Sequence, residues 1–216
     1  MLENFIKRIF TSIILLTILL ICIFLNKYSW LILLIIASIL SFFEFNGLLN
    51  KIWKNKKYYK FFFQIFCFSY LLLFIISGNI LYQQGLNLTL FILFVCIFSD
   101  IGGYIIGKII GGKKLTKISP NKTVSGSIGS LFFSTIPVFF YNIYDSHAFP
   151  ITINIIILSL IISLTCQIGD LLISYFKRKA KVKDTGFLLP GHGGILDRMD
   201  GILFALPLGL LLLLLR

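Results

Sequence analysis

Long uncharged apolar runs, broken by short basic segments, set the pattern of this chain. Residues 9–26 carry no charge between Arg8 and Lys27, and residues 28–50 are interrupted only by Glu44. Residues 61–99 contain no charge at all. About 20 apolar residues in a helix cross the hydrocarbon core of a bilayer, so this third run is too long for one crossing. Ser77-Gly78-Asn79 and Gln83-Gln84-Gly85 mark a turn within it, predicting spans at about 61–82 and 87–107. Runs at 126–144, 149–173 and 201–215 bring the expected number of spans to seven. The last is short, and can borrow residues from 195 onward. The first run resembles a signal peptide, but no small-residue cleavage site precedes Lys27, so it reads as a retained span. The pattern therefore predicts an all-α, polytopic integral membrane protein. Residues 1–90 would be N-terminal spans, and 91–216 a catalytic membrane region with loops at 108–125 and 174–200.

Composition agrees. Of 216 residues, 58% are apolar and 13% are charged. A soluble domain of this length carries about a quarter charged residues, and a disordered chain is poor in apolar ones; both classes are excluded. The net charge is +12, and its distribution says what it is for. Lys7 and Arg8 begin the chain. Loop 51–60 holds Lys51, Lys54, Lys56, Lys57 and Lys60; loop 108–125 holds Lys108, Lys113, Lys114, Lys117 and Lys122; loop 174–200 holds Lys177, Arg178, Lys179, Lys181, Lys183 and Arg198. These alternate loops carry 18 of the 20 basic residues, leaving only Lys27 and Arg216. The positive-inside rule puts the N-terminus and the three basic loops in the cytoplasm, and nucleic acid is not needed to explain the charge. Cys22, Cys67, Cys96 and Cys166 stand singly in apolar runs without a CxxC pair, and read as apolar filler.

Acids near a membrane core are costly and point to function. Asp170 is followed by Ser174, Lys177 and Arg178 at i+4, i+7 and i+8, all on one helical face. An acid with cations one or two turns away suits a metal–phosphate site, although a snorkelling basic helix end gives the same pattern. Asp197 and Asp200 share a face at i and i+3 at the head of the last span, where they could bind Mg²⁺. Just before them, Pro190-Gly191-His192-Gly193-Gly194 allows backbone amides to face one concavity. His192 fits a turn, a phosphate donor or a proton carrier. Ser119-Pro120 reads as the N-cap and first position of a helix; with Lys122 and Thr123 it would make an anion site. Gly103, Gly107 and Gly111 after Asp100 read as a groove for close helix packing. Asp100 and Glu44 are weaker candidates.

The stretch Ser174…Lys177-Arg178…Lys183-Asp184…Gly186…Pro190-Gly191-His192-Gly193-Gly194…Asp197-Arg198…Asp200 resembles the signature of the phosphatidate cytidylyltransferases, or CDP-diacylglycerol synthases. Gly169-Asp170-Leu171, Ser119-Pro120…Lys122-Thr123 and Asp100…Tyr104…Gly107 also look like that family, so the resemblance covers about 95–205. The family commonly has an acid just before the signature serine, where this chain has Ile173. The chain is shorter than typical bacterial members, which implies fewer N-terminal spans.

The resemblance implies that CTP and phosphatidic acid are joined to give CDP-diacylglycerol and pyrophosphate, in phospholipid biosynthesis at the cytoplasmic face of a bacterial inner membrane. It implies Mg²⁺ on Asp170 and Asp197, with Asp200 beside them and a second cation compatible. Lys177, Arg178 and Arg198 would be catalytic. Ser119, Lys122, Thr123, Ser174, Lys183, Asp184, His192, Gly193 and Gly194 would bind substrate. Partners would be CTP, phosphatidic acid and membrane lipids, with a homodimer compatible. A CDP-alcohol phosphotransferase would need further spaced aspartates, but after Gly201 only apolar residues follow to Leu215. A CTP-dependent lipid-alcohol kinase and a non-enzymatic transporter are the remaining alternatives, separable by products and by uptake.

Overall fold

The computed structural model describes residues 2–144, 153–189 and 193–214, and is helical without a strand among them. The helices are α1 (Leu2–Leu25), α2 (Lys27–Ile52), α3 (Lys57–Gln84), α4 (Leu86–Ile109), α5 (Val124–Ser134), α6 (Ile136–Tyr144), α7 (Ile153–Lys179) and α8 (Leu196–Leu214). Among the described residues, five stretches are long and apolar enough to cross a membrane: Lys27–Ile52, Lys57–Gln84, Leu86–Ile109, Val124–Tyr141 and Ile155–Lys179. Phe10–Leu25 is apolar but shorter. Large apolar side chains such as Ile32, Phe62, Ile65 and Phe132 are more than half exposed. Water would oppose that exposure, whereas lipid matches it. The chain is a polytopic integral membrane protein.

Two compact units share the chain: Met1–Asn79 with Phe176–Met199, and Ile80–Tyr175 with Asp200–Arg216. Helices α7 and α8 each contribute to both. In the first unit, Asn26 caps α2 with a capping box, its side chain accepting from the Ser29 amide while the Ser29 hydroxyl accepts from the Asn26 amide. Trp30, Leu34, Leu48, Leu49 and Phe74 are buried, and the Trp30 indole donates to the Gly78 carbonyl at 3.0 Å. Phe45 and Phe63 both meet the Phe176 ring edge to face. Ser77-Gly78-Asn79 is not a turn, as α3 runs through it to Gln84. The Ser77 hydroxyl bonds back to the Leu73 carbonyl at 2.7 Å, so its polar group is satisfied within the helix.

In the second unit α4 and α5 approach closely. A Cβ on Gly103 would meet the Ser130 hydroxyl and one on Gly126 the Gly103 carbonyl, so only glycine allows this approach. Gly107 faces Thr123 and Gly126. Gly111 does not join this groove. It lies beyond the end of α4 at φ +62°, where glycine ends the helix and turns the chain. The expected span at 126–144 is two helices, broken at Thr135: Pro137 has no amide to continue the ladder. Gly169 of α7 lies against the Asp200 carbonyl and Phe204, which brings α7 and α8 together within this unit.

Candidate active site

The first unit contains the end of α7, the loop after it and the first turn of α8. Helix α7 ends in a Schellman motif, with the Val182 amide on the Lys177 carbonyl and the Lys181 amide on the Arg178 carbonyl, both at 3.0 Å. This motif needs a left-handed residue, and Lys181 takes that conformation at φ 55° without being glycine. The turn sends the chain into the loop with Lys183 and Asp184 exposed.

Asp197 stands in the first turn of α8, with its side chain only 7% exposed. Its Oδ1 accepts from the Lys177 ammonium at 2.7 Å. Its Oδ2 accepts from the Thr185 amide at 2.8 Å, the Thr185 hydroxyl at 2.9 Å and the Gly194 amide at 3.0 Å. Burial alone would raise the pKa of such a group. The Lys177 bond and the two amides outweigh it, and hold Asp197 below the ordinary carboxylate value.

Glu44 of α2 is buried beside the same loop. It accepts from the Thr185 hydroxyl at 2.8 Å, the Ile195 amide at 3.0 Å and the Leu196 amide at 2.9 Å. The glycines here serve the protein's own carboxylates. Gly193 has φ +85°, and a Cβ on it would sit 2.7 Å from Oδ2 of Asp197. A Cβ on Gly186 or Gly194 would run into the Glu44 carboxylate.

In the second unit Asp170 pairs with Lys122, both side chains about 30% exposed. The buried Ser174 hydroxyl donates to Asp170 at 3.3 Å. The sequence expectation for Ser119-Pro120 is corrected here. These residues form a turn, closed by the Lys122 amide on the Ser119 carbonyl at 3.1 Å, and α5 begins at Val124. Proline fits the second position of a turn as well as the first of a helix. The helix cap is Thr123, whose hydroxyl accepts from the Gly126 amide at 3.1 Å.

Of the remaining expected residues, Arg178, Arg198 and Asp100 are exposed. Asp200 accepts from the Gly201 amide at 2.9 Å. His192, with Pro190 and Gly191, lies outside the described residues. Glu44 carries more than its weight in the sequence reading. The available signal was an acid alone in an apolar run.

Taken separately, Asp170 has the Ser174 hydroxyl beside it and Asp197 the Thr185 hydroxyl, hard oxygens of the kind Mg²⁺ prefers, next to a lysine ammonium in each case and two backbone amides at Asp197. Among the described residues neither unit gathers three His, Cys, Asp or Glu side chains. Mg²⁺ does not require that, since one or two carboxylates with substrate phosphates and water complete its shell. Each acid already balances a lysine ammonium, a positive charge of the kind a bound cation would replace. The residues fit the metal.

The model of the Cytidylyltransferase family matches residues 48–215. The chain is similar to the phosphatidate cytidylyltransferase of Staphylococcus saprophyticus, 44% identical over 127 residues. It is 46% identical over 129 residues to that of Staphylococcus aureus (strain COL), and 45% over 129 to that of Staphylococcus haemolyticus. In each case the match covers 58% of this chain and 48% of the relative, so the matched stretch is about half of these proteins.

Proposed function

The chain belongs to the Cytidylyltransferase family, and on that premise we propose that it condenses CTP with phosphatidic acid to give CDP-diacylglycerol and pyrophosphate. The observation that carries this reading is the pairing of Lys122 with Asp170 and of Lys177 with Asp197. Each couple is balanced when no substrate is present. A phosphate can take the lysine only if the acid gains another positive partner, so binding of nucleotide and of cation are coupled at both couples.

The chemistry asks little of a general base. An anionic phosphatidate oxygen attacks the α-phosphorus of CTP, and a new P–O bond forms. The bond from that phosphorus to the bridging oxygen of the β-phosphate breaks, and pyrophosphate leaves with the electron pair. Two polyanions must therefore be brought together and the leaving charge spread. Lys177, Arg178, Lys183 and Arg198 are proposed for that charge. Lys122 with the Ser119 turn and the start of α5 at Thr123 would hold phosphate oxygens. Ser174, Asp184, His192, Gly193 and Gly194 would shape the pocket for the nucleotide. Asp170, Asp197 and Asp200 are each proposed as Mg²⁺ ligands, and the metal would polarise the α-phosphate.

We also read α1 and the part of α8 from Gly201 onward as spans. That gives seven crossings with the N-terminus and the reaction on the cytoplasmic side, supported by the lysines of alternate loops. In that topology CTP arrives from water while the acyl chains stay in lipid. The assay is labelled CTP with phosphatidic acid in liposomes, scored for lipid-linked CMP and pyrophosphate. CDP with a new lipid monophosphate, formed from a lipid alcohol, would identify a kinase instead. Solute uptake without CTP turnover would identify a transporter. Mass in detergent tests for a homodimer.

A further inference from the structure

We propose that Glu44 is a positioning residue for this reaction: its buried carboxylate fastens the loop between α7 and α8 at Thr185 and at the start of α8, and so fixes where Asp197 stands. The inference rests on the cytidylyltransferase reading for the reaction, but its geometry lies wholly within the first unit.

A carboxylate in a residue only 7% exposed, in a helix otherwise uncharged from Tyr28 to Leu49, is costly unless its lone pairs are used. Those of Glu44 are used on a segment about 150 residues away in sequence. The Ile195 and Leu196 amides, at 3.0 and 2.9 Å, are the unpaired donors at the start of α8. Ile195 occupies the cap position, since the Arg198 and Met199 amides both bond to its carbonyl. An isoleucine has no oxygen with which to cap. Glu44 supplies from α2 the acceptor and the negative charge that this helix start needs.

The loop is also held farther back, at Thr185. Its hydroxyl lies 2.8 Å from Oε2 of Glu44 and 2.9 Å from Oδ2 of Asp197, and its amide also donates to Asp197. One hydroxyl has one proton to give, so the position of each carboxylate depends on the other. Gly186 and Gly194 bring the backbone against Glu44 so closely that neither has room for a side chain there. Two glycines, one threonine and two amides thus converge on one acid that lies outside the loop. Glu44 does not touch the reacting groups; it acts on them through Thr185 and the α8 start.

The test uses the full protein in liposomes with the variants Glu44→Ala and Glu44→Gln. Hydrogen exchange is followed in peptides covering 185–189 and 194–198, with α3 as an internal control, alongside kcat and KM for CTP. Glu44→Ala should raise exchange in both loop peptides and not in α3. It should lower kcat at least tenfold while KM changes by less than about threefold, because orientation and not substrate contact is lost. Glu44→Gln keeps the size but offers one acceptor oxygen where two are used, and should fall between the wild type and Glu44→Ala on both readouts. Wild-type exchange in Glu44→Ala would overturn the fastening. Raised exchange with kcat within twofold of wild type would overturn the catalytic part. Glu44→Gln equal to wild type in both would show that the carboxylate is not required. If the wild type makes no CDP-diacylglycerol, the reading of function fails separately, and the exchange data alone uphold or overturn the fastening.

Discussion

The Lys177 ammonium and Oδ1 of Asp197, twenty residues apart in the chain, stand 2.7 Å from each other with both side chains largely buried. The pair ties the end of α7 to the first turn of α8 within one unit. Its cost in lost hydration is offset by the Thr185 and Gly194 amides on the far oxygen. A dependence of stability on pH follows. The Asp197 value is lowered on folding, so its contribution is present above the ordinary carboxylate value of 3.8 and is lost as pH falls below it. The unfolding midpoint in detergent should decline over that range. Asp197→Asn should flatten the decline and cost about 1–3 kcal/mol near neutrality. An unchanged acid slope in the variant would contradict this.

Lys181 gives a stability prediction that turns on backbone conformation. It sits at φ 55° in the motif that ends α7. A side chain there costs roughly 1–2 kcal/mol, and glycine avoids it at some expense in chain entropy. Lys181→Gly should raise stability by about 0.5–1 kcal/mol. Thermal unfolding in detergent checks this, and a lower midpoint would refute it.

Topology is open to direct labelling. Single cysteines at Lys56, Lys117 and Lys183, in a background without Cys22, Cys67, Cys96 and Cys166, should react only after the membrane is opened. A cysteine at Gln84 should react from outside. Lys183 is preferred to Lys181 because it leaves the left-handed position intact. Reaction of the Lys117 position from outside would sink the seven-span reading.

The spans were legible because lipid imposes one requirement on about 20 residues at a time, and that requirement appears as an uncharged run. The ends were less so. Ser77-Gly78-Asn79 has turn chemistry, but the Ser77 hydroxyl bonds back within α3 and the Gly78 carbonyl takes the Trp30 indole of α2. Ser119-Pro120 has the composition of a helix start, but the cap is Thr123, four residues on. Asp170 and Ser174 are neighbours as helical spacing predicts. The pairing of Lys122 with Asp170 could not be read the same way, because no local period links residues 48 apart. Glu44 is the plainest case. Its partners are Thr185, Ile195 and Leu196, and two of these act through backbone amides, which leave no mark in sequence.

Ile173 stands where the resembled signature commonly has an acid. It is 6% exposed on α7, three residues after Asp170 and one before Ser174. Ile173→Glu should lower the Mg²⁺ concentration needed for half-maximal turnover, if the acid completes an oxygen shell there. Burial of the carboxylate should also lower the unfolding midpoint. A Mg²⁺ titration of activity is the check, and an unchanged curve would assign the role to another acid such as Asp200.

The decisive substitutions are Asp170→Asn and Asp197→Asn. Asparagine keeps the size of the side chain and one acceptor oxygen, so Lys122 and Lys177 each retain a neutral partner and the helices still insert. What it removes is the negative charge that a hard cation needs. If both acids serve one transfer step, each variant should lose several kcal/mol of transition-state stabilisation, a fall in kcat of about a thousandfold or more. The double variant should then be little worse than either single one, because groups that act as a unit do not lose their effect twice. Asp145, which lies outside the described residues and on the opposite side of the membrane in the seven-span topology, should tolerate the same change. The measurement is CDP-diacylglycerol formation at saturating CTP and Mg²⁺, with yield and monodispersity as controls for insertion. Near-normal turnover in Asp170→Asn would leave its pairing with Lys122 as a structural ion pair. The same result in Asp197→Asn would reduce the Lys177 pair to a fastening of α7 against α8.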